Sequence, residues 1–196
     1  MFSNHQFSKM RLTNLTIFII ASSLMNFGWG LIGPFYYLYV NQLGGNSLEQ
    51  FGIAFGIMYF TSALASIIAG KYSDKLGRKP FLIGASLMYA VVIYSYTLIN
   101  SAVQLYIAQA LIGVLGAIEQ TVNTSFLGDV TKKSKRGFQI GIFHSLVEMF
   151  SGVAIIVGGF LMGETGFKIM FYIVSIIIAT GAVVLLALKE TVKKRS

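Results

Sequence analysis

The 196-residue sequence has no cysteine, which excludes a disulfide framework and any thiolate metal site. Its two histidines, His5 and His144, are too far apart in sequence to suggest a paired metal ligand set. His144 is followed by Glu148 but lacks the second histidine that a zinc-protease helix needs, and neither a nucleophile beside a base nor a phosphate-cradling loop is present. No enzyme, cofactor or metal site is expected. Charge is scarce as well, at 11% of residues, and acids are scarcer than bases, seven against fifteen. A net charge of +8 would suit nucleic acid if the basic residues formed one patch or stripe, but here they recur in separated clusters, so no nucleic-acid partner is expected.

What is abundant is apolar sequence. Hydrophobic residues make up 55% of the chain and mean hydropathy is +0.73. Runs of about 20 apolar residues, the length that crosses about 30 Å of hydrocarbon, repeat throughout. They define an all-α membrane protein with six spans, at about 12–39, 49–72, 80–99, 102–127, 138–162 and 167–188. Residues 193–196 begin a basic linker or tail. Lys9 and Arg11 precede span one, Lys71, Lys75, Arg78 and Lys79 follow span two, Lys132, Lys133, Lys135 and Arg136 follow span four, and Lys189, Lys193, Lys194 and Arg195 follow span six. Only Lys168 lies in the intervening loops, so fourteen of the fifteen basic residues fall on one side. The positive-inside rule makes that side cytoplasmic and places both termini there, in a multi-pass protein of the plasma membrane. The first apolar run is too long for a cleaved signal peptide.

The stretch Gly70-Lys71-Tyr72-Ser73-Asp74-Lys75-Leu76-Gly77-Arg78-Lys79-Pro80 joins spans two and three. So short a link demands a sharp turn, for which Gly77 supplies a positive φ. Pro80 suits the first position of the next helix, and Asp74 can neutralise part of the charge or cap a helix start. This loop resembles the signature loop between the second and third helices of the major facilitator superfamily, with Lys75 where the family usually has Arg. The run Asn26 to Tyr39, with Gly33-Pro34 before an aromatic end, resembles first helices of multidrug-exporting members. Asp129 to Gly137 is similar to the family's second cytoplasmic loop, and Gly166-Phe167-Lys168 and Glu190-Thr191 are also familiar from it. Two departures stand out: Gln109 holds a position where the fourth helix commonly carries Arg, and Ala154-Ile155 replaces the Gly-Pro of the antiporter-type fifth helix, although Gly158-Gly159 matches.

Several local readings follow. Gly28, Gly30, Gly33 and Pro34 mark a bend in span one. Small residues at Gly52, Gly56, Ala63, Ala65, Ala69 and Gly70 prepare span two for close helix contact. Tyr89, Tyr94 and Tyr96 read as an interfacial belt on span three. Span four, with Gln109, Glu119, Gln120 and Asn123, faces protein or water, whereas span six, without an ionisable group between Lys168 and Lys189, faces lipid. Gly70, Gly77 and Lys79 are matched 89 residues later by Gly159, Gly166 and Lys168 on the opposite side of the membrane, the pattern of two inverted three-helix repeats.

Three ionisable residues lie deep: Glu119, His144 and Glu148. At ~1.5 Å per residue the two acids are each about 15 Å from the basic side. His144 and Glu148, four apart, share a helix face and can share a proton or ion-pair; Glu119 and Asn123 share another. A carboxylate at that depth costs several kcal/mol to ionise unless paired or hydrated, so such an acid can load and release protons or attract a cation. Against this stands a purely structural role, in which His144 and Glu148 satisfy each other and Glu119 bonds Gln120 or a neighbouring helix. Asn26 either makes an interhelical hydrogen bond or lines a cavity.

The resemblance implies the N-terminal six-helix half of a secondary transporter, expected to work by alternating access with a second six-helix half, from the same chain or a homo-oligomer. Proton-coupled export of small amphipathic or cationic compounds is the expectation, with Glu119, Glu148, His144, Asn26, Asn123 and Gln120 as coupling or substrate residues. Gly70, Asp74, Lys75, Gly77, Arg78 and Lys79 would form a conformational latch. A sugar or metabolite symporter half is the nearest alternative, and a non-transporting scaffold or regulatory half the alternative of another class.

Overall fold

A computed structural model describes the backbone of residues 4–43 and 47–189, and side chains for 13–43 and 48–189. The side chains of Lys9 and Arg11, and residues 190–196 with the basic tail, lie outside it. Every described element is helical: α1 (Asn4–Ile32), which passes through a 3₁₀ turn at Gly33–Phe35 into α2 (Tyr36–Gln42), α3 (Ser47–Leu76), α4 (Arg78–Ser95), α5 (Ala102–Val130) and α6 (Arg136–Leu185). Among the described residues five stretches are long and apolar enough to cross a membrane, the last of them 53 residues long.

That last helix is two crossings. Gly166 has φ 73° and ψ 171°, so no helix runs straight through it. Against α1, the arm before Gly166 runs parallel: Phe18 stacks on Phe143, Asn26 O meets Ser151 Oγ and Leu31 abuts Gly158. The arm after it runs antiparallel, with Gly28 on Val174 and Ile178, Met25 on Gly181, and Asn14 on Lys189. The chain therefore reverses at Gly166, and the bundle has six membrane-length segments. Gly77, the single residue between α3 and α4, makes the corresponding turn at φ 96°. Gly77 and Gly166 are the positive-φ residues among those described, and they stand 89 apart as the repeat requires.

The packing obeys the same repeat. The first helix of each three-helix unit lies beside the second helix of the other: α1 on the first arm of α6, and α5 on α3, where Gly113 faces Met58 and Thr61 and Gly70 faces Thr121. The third helices meet at Ser175 Oγ, which donates to Ala90 O (2.8 Å), and at Tyr94 against Tyr172. Two apolar layers result. One, near the basic end, holds Phe18, Leu82, Phe126 and Phe143; the other, at the far end, holds Tyr36, Tyr39, Tyr96 and Phe171.

Helix ends are tied by polar groups that would otherwise be stranded. Ser101 Oγ accepts from the Gln104 backbone N–H while Gln104 Oε1 accepts from that of Asn100, a near-reciprocal cap on α5. At its other end, Arg136 donates to the carbonyl of Gly128 (2.9 Å). Asn14, fully buried, donates to Lys189 O (2.8 Å) and accepts from Lys189 N (3.1 Å), which clamps the end of α6 to α1.

Several expectations are corrected. Pro80 is the third residue of α4, not the first. Gly33 and Pro34 do form the bend, but Gly28 and Gly30 are packing sites: a Cβ on Gly30 would meet Ala154 Cβ at 2.8 Å. On α3, Gly52 and Gly56 have nothing within 4 Å, because the close approach to α5 is made by Gly113 on the partner helix. Tyr89 and Tyr96 are buried rather than interfacial; only Tyr94 is exposed. The arm corresponding to span six buries Phe167, Met170, Phe171, Val174 and Ile178 between α1 and α4, so it is a core helix with one outer face.

Candidate functional site

Polar residues concentrate on one face of α5. Near the far end of the bundle that face is closed, since Gln109, buried, donates from Nε2 to Tyr36 Oη across the bundle (2.5 Å). Around this bond Tyr36 touches the rings of Tyr39, Phe51, Phe55 and Tyr96. Behind it lies a cavity of about 290 Å³ lined by Trp29, Tyr36, Phe55, Tyr96, Gln109 and Phe171 among others. Tyr89 is held by two contacts here, an edge-on ring contact with Trp29 and a hydrogen bond from its hydroxyl to Ile112 O.

Toward the basic end the same face of α5 opens. Glu119 and Asn123 are half-buried, Gln120 is exposed, and the carboxyl of Glu119 interacts with the Asn123 side chain one turn on. It also lies close to Tyr89, whose hydroxyl sits against Gly116. Asn26, on α1, spends its amide on Ser22 O of its own helix (2.9 Å), and its interhelical contact is made by its backbone carbonyl to Ser151. His144 and Glu148 are exposed on the first arm of α6, and no ion pair joins them among the described residues. Shared spacing put them on one face, but that face has no protein opposite it to hold the pair closed. The structure thus assembles Glu119 with Asn123, leaves Gln120 beside them, and keeps His144 and Glu148 apart on another helix.

At the basic end a single guanidinium gathers three helix ends. Arg78, opening α4, lies 2.5 Å from Asp129 on α5 and 3.4 Å from Asp74 on α3. The contact with Asp129 is a charge contact, since Arg78 Nη1 has no aligned hydrogen-bond acceptor. Lys79 caps the carbonyl of Leu186 (2.8 Å). Lys75 is exposed, as is Asp74, and Gly70 packs on Thr121. Sequence reasoning singled out the acids and this loop but missed the Tyr36–Gln109 closure and its cavity, for which the aromatic run ending α1 and α2 was the available signal.

A helical bundle of two inverted three-helix units, a tight glycine turn with a basic rim, and a half-buried acid on a polar central helix define a membrane transporter half. The chain matches the Major Facilitator Superfamily over residues 18–196 and belongs to it. It is 35% identical to the MFS-type transporter YitZ of Bacillus subtilis (strain 168) over 78% of this chain and 93% of that one. It is 32% identical to the multidrug resistance protein MdtG of Proteus mirabilis (strain HI4320), over 84% of this chain but only 42% of MdtG. In fold it resembles a mutant of the peptide transporter POT solved with sulfate, with TM-score 0.74 and 18% identity, over 92% of this chain and 40% of that one. The chain therefore spans most of YitZ and about two-fifths of MdtG and POT, and it is an integral membrane protein.

Proposed function

We propose that the chain forms the N-terminal half of a secondary active transporter that exports small amphipathic or cationic compounds in exchange for protons, by alternating access. The observation that carries this reading is Glu119: an acid near the middle of a membrane helix, half-buried, on a polar face that is open toward the basic end and closed by Tyr36–Gln109 at the other. Asn123 and Gln120 extend that face and can hold a substrate's polar group when the carboxyl is protonated. The multidrug relatives support the substrate class.

Glu148 and His144 act in the same reading as a second acid and its neighbour, exposed until another bundle covers them. That bundle is a second six-helix half, from the same polypeptide or another copy. Its landing surface consists of α3, where Tyr59, Phe60, Leu64 and Ile67 are exposed, and the outer face of the first arm of α6, where Phe138, Met149, Ile156 and Phe160 are exposed. The Gly70–Lys79 loop, rigidified by Arg78, then latches against it on the cytoplasmic side of the plasma membrane, where the positive-inside rule puts both termini.

The test is flux of a lipophilic fluorescent cation in everted membrane vesicles energised by a pH gradient. Glu119→Gln should abolish gradient-driven flux with the amount of membrane-inserted protein unchanged, and Glu148→Gln should weaken it. Wild-type flux in Glu119→Gln would remove Glu119 from the coupling role.

A further inference from the structure

The cavity at the far end of the bundle differs in kind from the open face around Glu119. It holds about 290 Å³, its walls are dominated by aromatic rings, and no charged side chain lines it. One polar atom in it is unmet. Gln109 is 3% exposed; its Nε2 is used by Tyr36, and among the described residues its Oε1 has no donor. The hydroxyls of Tyr36 and Tyr96 are engaged with each other. Buried amide oxygens in native proteins nearly always find a donor, so this one suits a ligand group bearing an N–H or O–H. Water is a poor occupant, because an ordered water needs two to four polar partners and the tyrosine hydroxyls of the wall are already engaged.

We propose that this cavity binds a small, neutral, flat aromatic compound carrying one N–H or O–H, which donates to Gln109 Oε1 while its rings lie among Trp29, Phe55, Tyr96 and Phe171. Size sets the class. A dry apolar cavity of about 150 Å³ accommodates benzene, so about twice that volume takes a bicyclic ring system. With no charged lining residue the wall offers an anion nothing to pair with, and a neutral donor meets the amide oxygen at a lower desolvation cost than a charged one. The site is distinct from the acid: Gln109 precedes Glu119 by ten residues of one helix, about 15 Å. Nothing in the inference requires that the compound be transported.

The chain reports on this site itself, because Trp29 is its single tryptophan and lines the cavity. The experiment titrates the full chain in lipid nanodiscs with β-naphthol and with β-naphthyl methyl ether, which has nearly the same shape and no donor, and follows Trp29 emission. Expected is saturable quenching with the naphthol bound roughly five- to tenfold more tightly, the worth of one buried hydrogen bond. Gln109→Leu should erase that preference while leaving both ligands bound, and Met58→Phe, which narrows the cavity, should weaken both. The ratio in the unaltered chain is a test that needs no variant. Quenching that rises with lipid partitioning and never saturates, equal or reversed preference between the two ligands, or a preference that survives in Gln109→Leu would each overturn the proposal.

Discussion

Substituting Gly158 by alanine tests whether backbone contact between α1 and α6 sets the geometry of the bundle. A Cβ at Gly158 would lie 2.5 Å from Leu31 O, 2.9 Å from its Cα and 3.0 Å from its C. All three are backbone atoms, so no side chain can swing away. Ordinary contact begins at 3.4 Å, and the two helices must part by about 0.9 Å. A gap of that size forfeits a quarter to a half of the dispersion well of each atom pair it opens, so roughly thirty pairs at ~0.15 kcal/mol lose about 1.5 kcal/mol. That agrees with the ~1–3 kcal/mol typical of overpacked cores. Alanine also favours a helix over glycine by up to ~1 kcal/mol, which would mask part of the loss.

Gly84→Ala removes that ambiguity. Gly84 is mid-helix on α4 with nothing within 4 Å, so it gains the propensity term without the clash. The difference between the two variants, read by denaturant titration in mixed micelles with helical circular dichroism, should be about 1.5–3 kcal/mol, with Gly158→Ala the less stable. A difference below ~0.5 kcal/mol would refute the claim that Leu31 and Gly158 hold the helices at backbone contact.

Asn14→Leu deletes both hydrogen bonds to Lys189 and should cost about 2 kcal/mol locally, so exchange of the Lys189 amide, followed by mass spectrometry, should quicken roughly thirtyfold; Asn14→Asp, which keeps an acceptor for that amide, should fall between. Gly166→Val places a β-branched residue at φ 73° and should lose at least ~1–2 kcal/mol in the same titration. Gly166→Ala should lose nearly as much, since nothing lies within 4 Å of Gly166 and φ 73° with ψ 171° is a conformation essentially reserved for glycine; no loss in Gly166→Ala would show that backbone strain is not the cause.

What was legible in the sequence was whatever one helix determines alone. Apolar runs marked an all-helical membrane chain, and Gly77, with Gly166 89 residues on, marked turns whose φ values are positive. What was not legible depended on a partner far along the chain. Gly52 and Gly56 read as contact residues because glycine permits close approach, but whether a neighbour arrives is decided by the neighbour, and α5 arrives at its own Gly113. Tyr89 and Tyr96 sit at spacings that suit a membrane interface; they are buried because Ile112 and Tyr36, on other helices, give their hydroxyls partners. His144 and Glu148 share a face, but four-residue spacing permits an ion pair without enforcing one when both groups are exposed. Gln109 drew attention as a polar residue of span four and as a departure from the family pattern, but its pairing was not legible, since its partner Tyr36 lies 73 residues away.

The repeat also bears on why one half of the scaffold carries the acid. The residue 89 positions before Glu119 is Gly30, on the helix that corresponds to α5. There a Cβ would already meet Ala154 Cβ and Ser151 O at 2.8 Å, so α1 has no room for a side chain, let alone a carboxylate. α1 is committed to α6 on both sides, by Gly30 and Leu31 against the first arm and by Gly28 and Met25 against the second. α5 makes its closest approach to α3 at Gly113 and leaves the following two turns to Gly116, Glu119 and Gln120. A backbone plan that is nearly symmetric thus becomes chemically one-sided through where each helix puts its closest contact. Gly30→Glu should consequently disrupt folding rather than add a second membrane carboxylate, whereas Glu119→Gly should leave the fold intact and remove the acid.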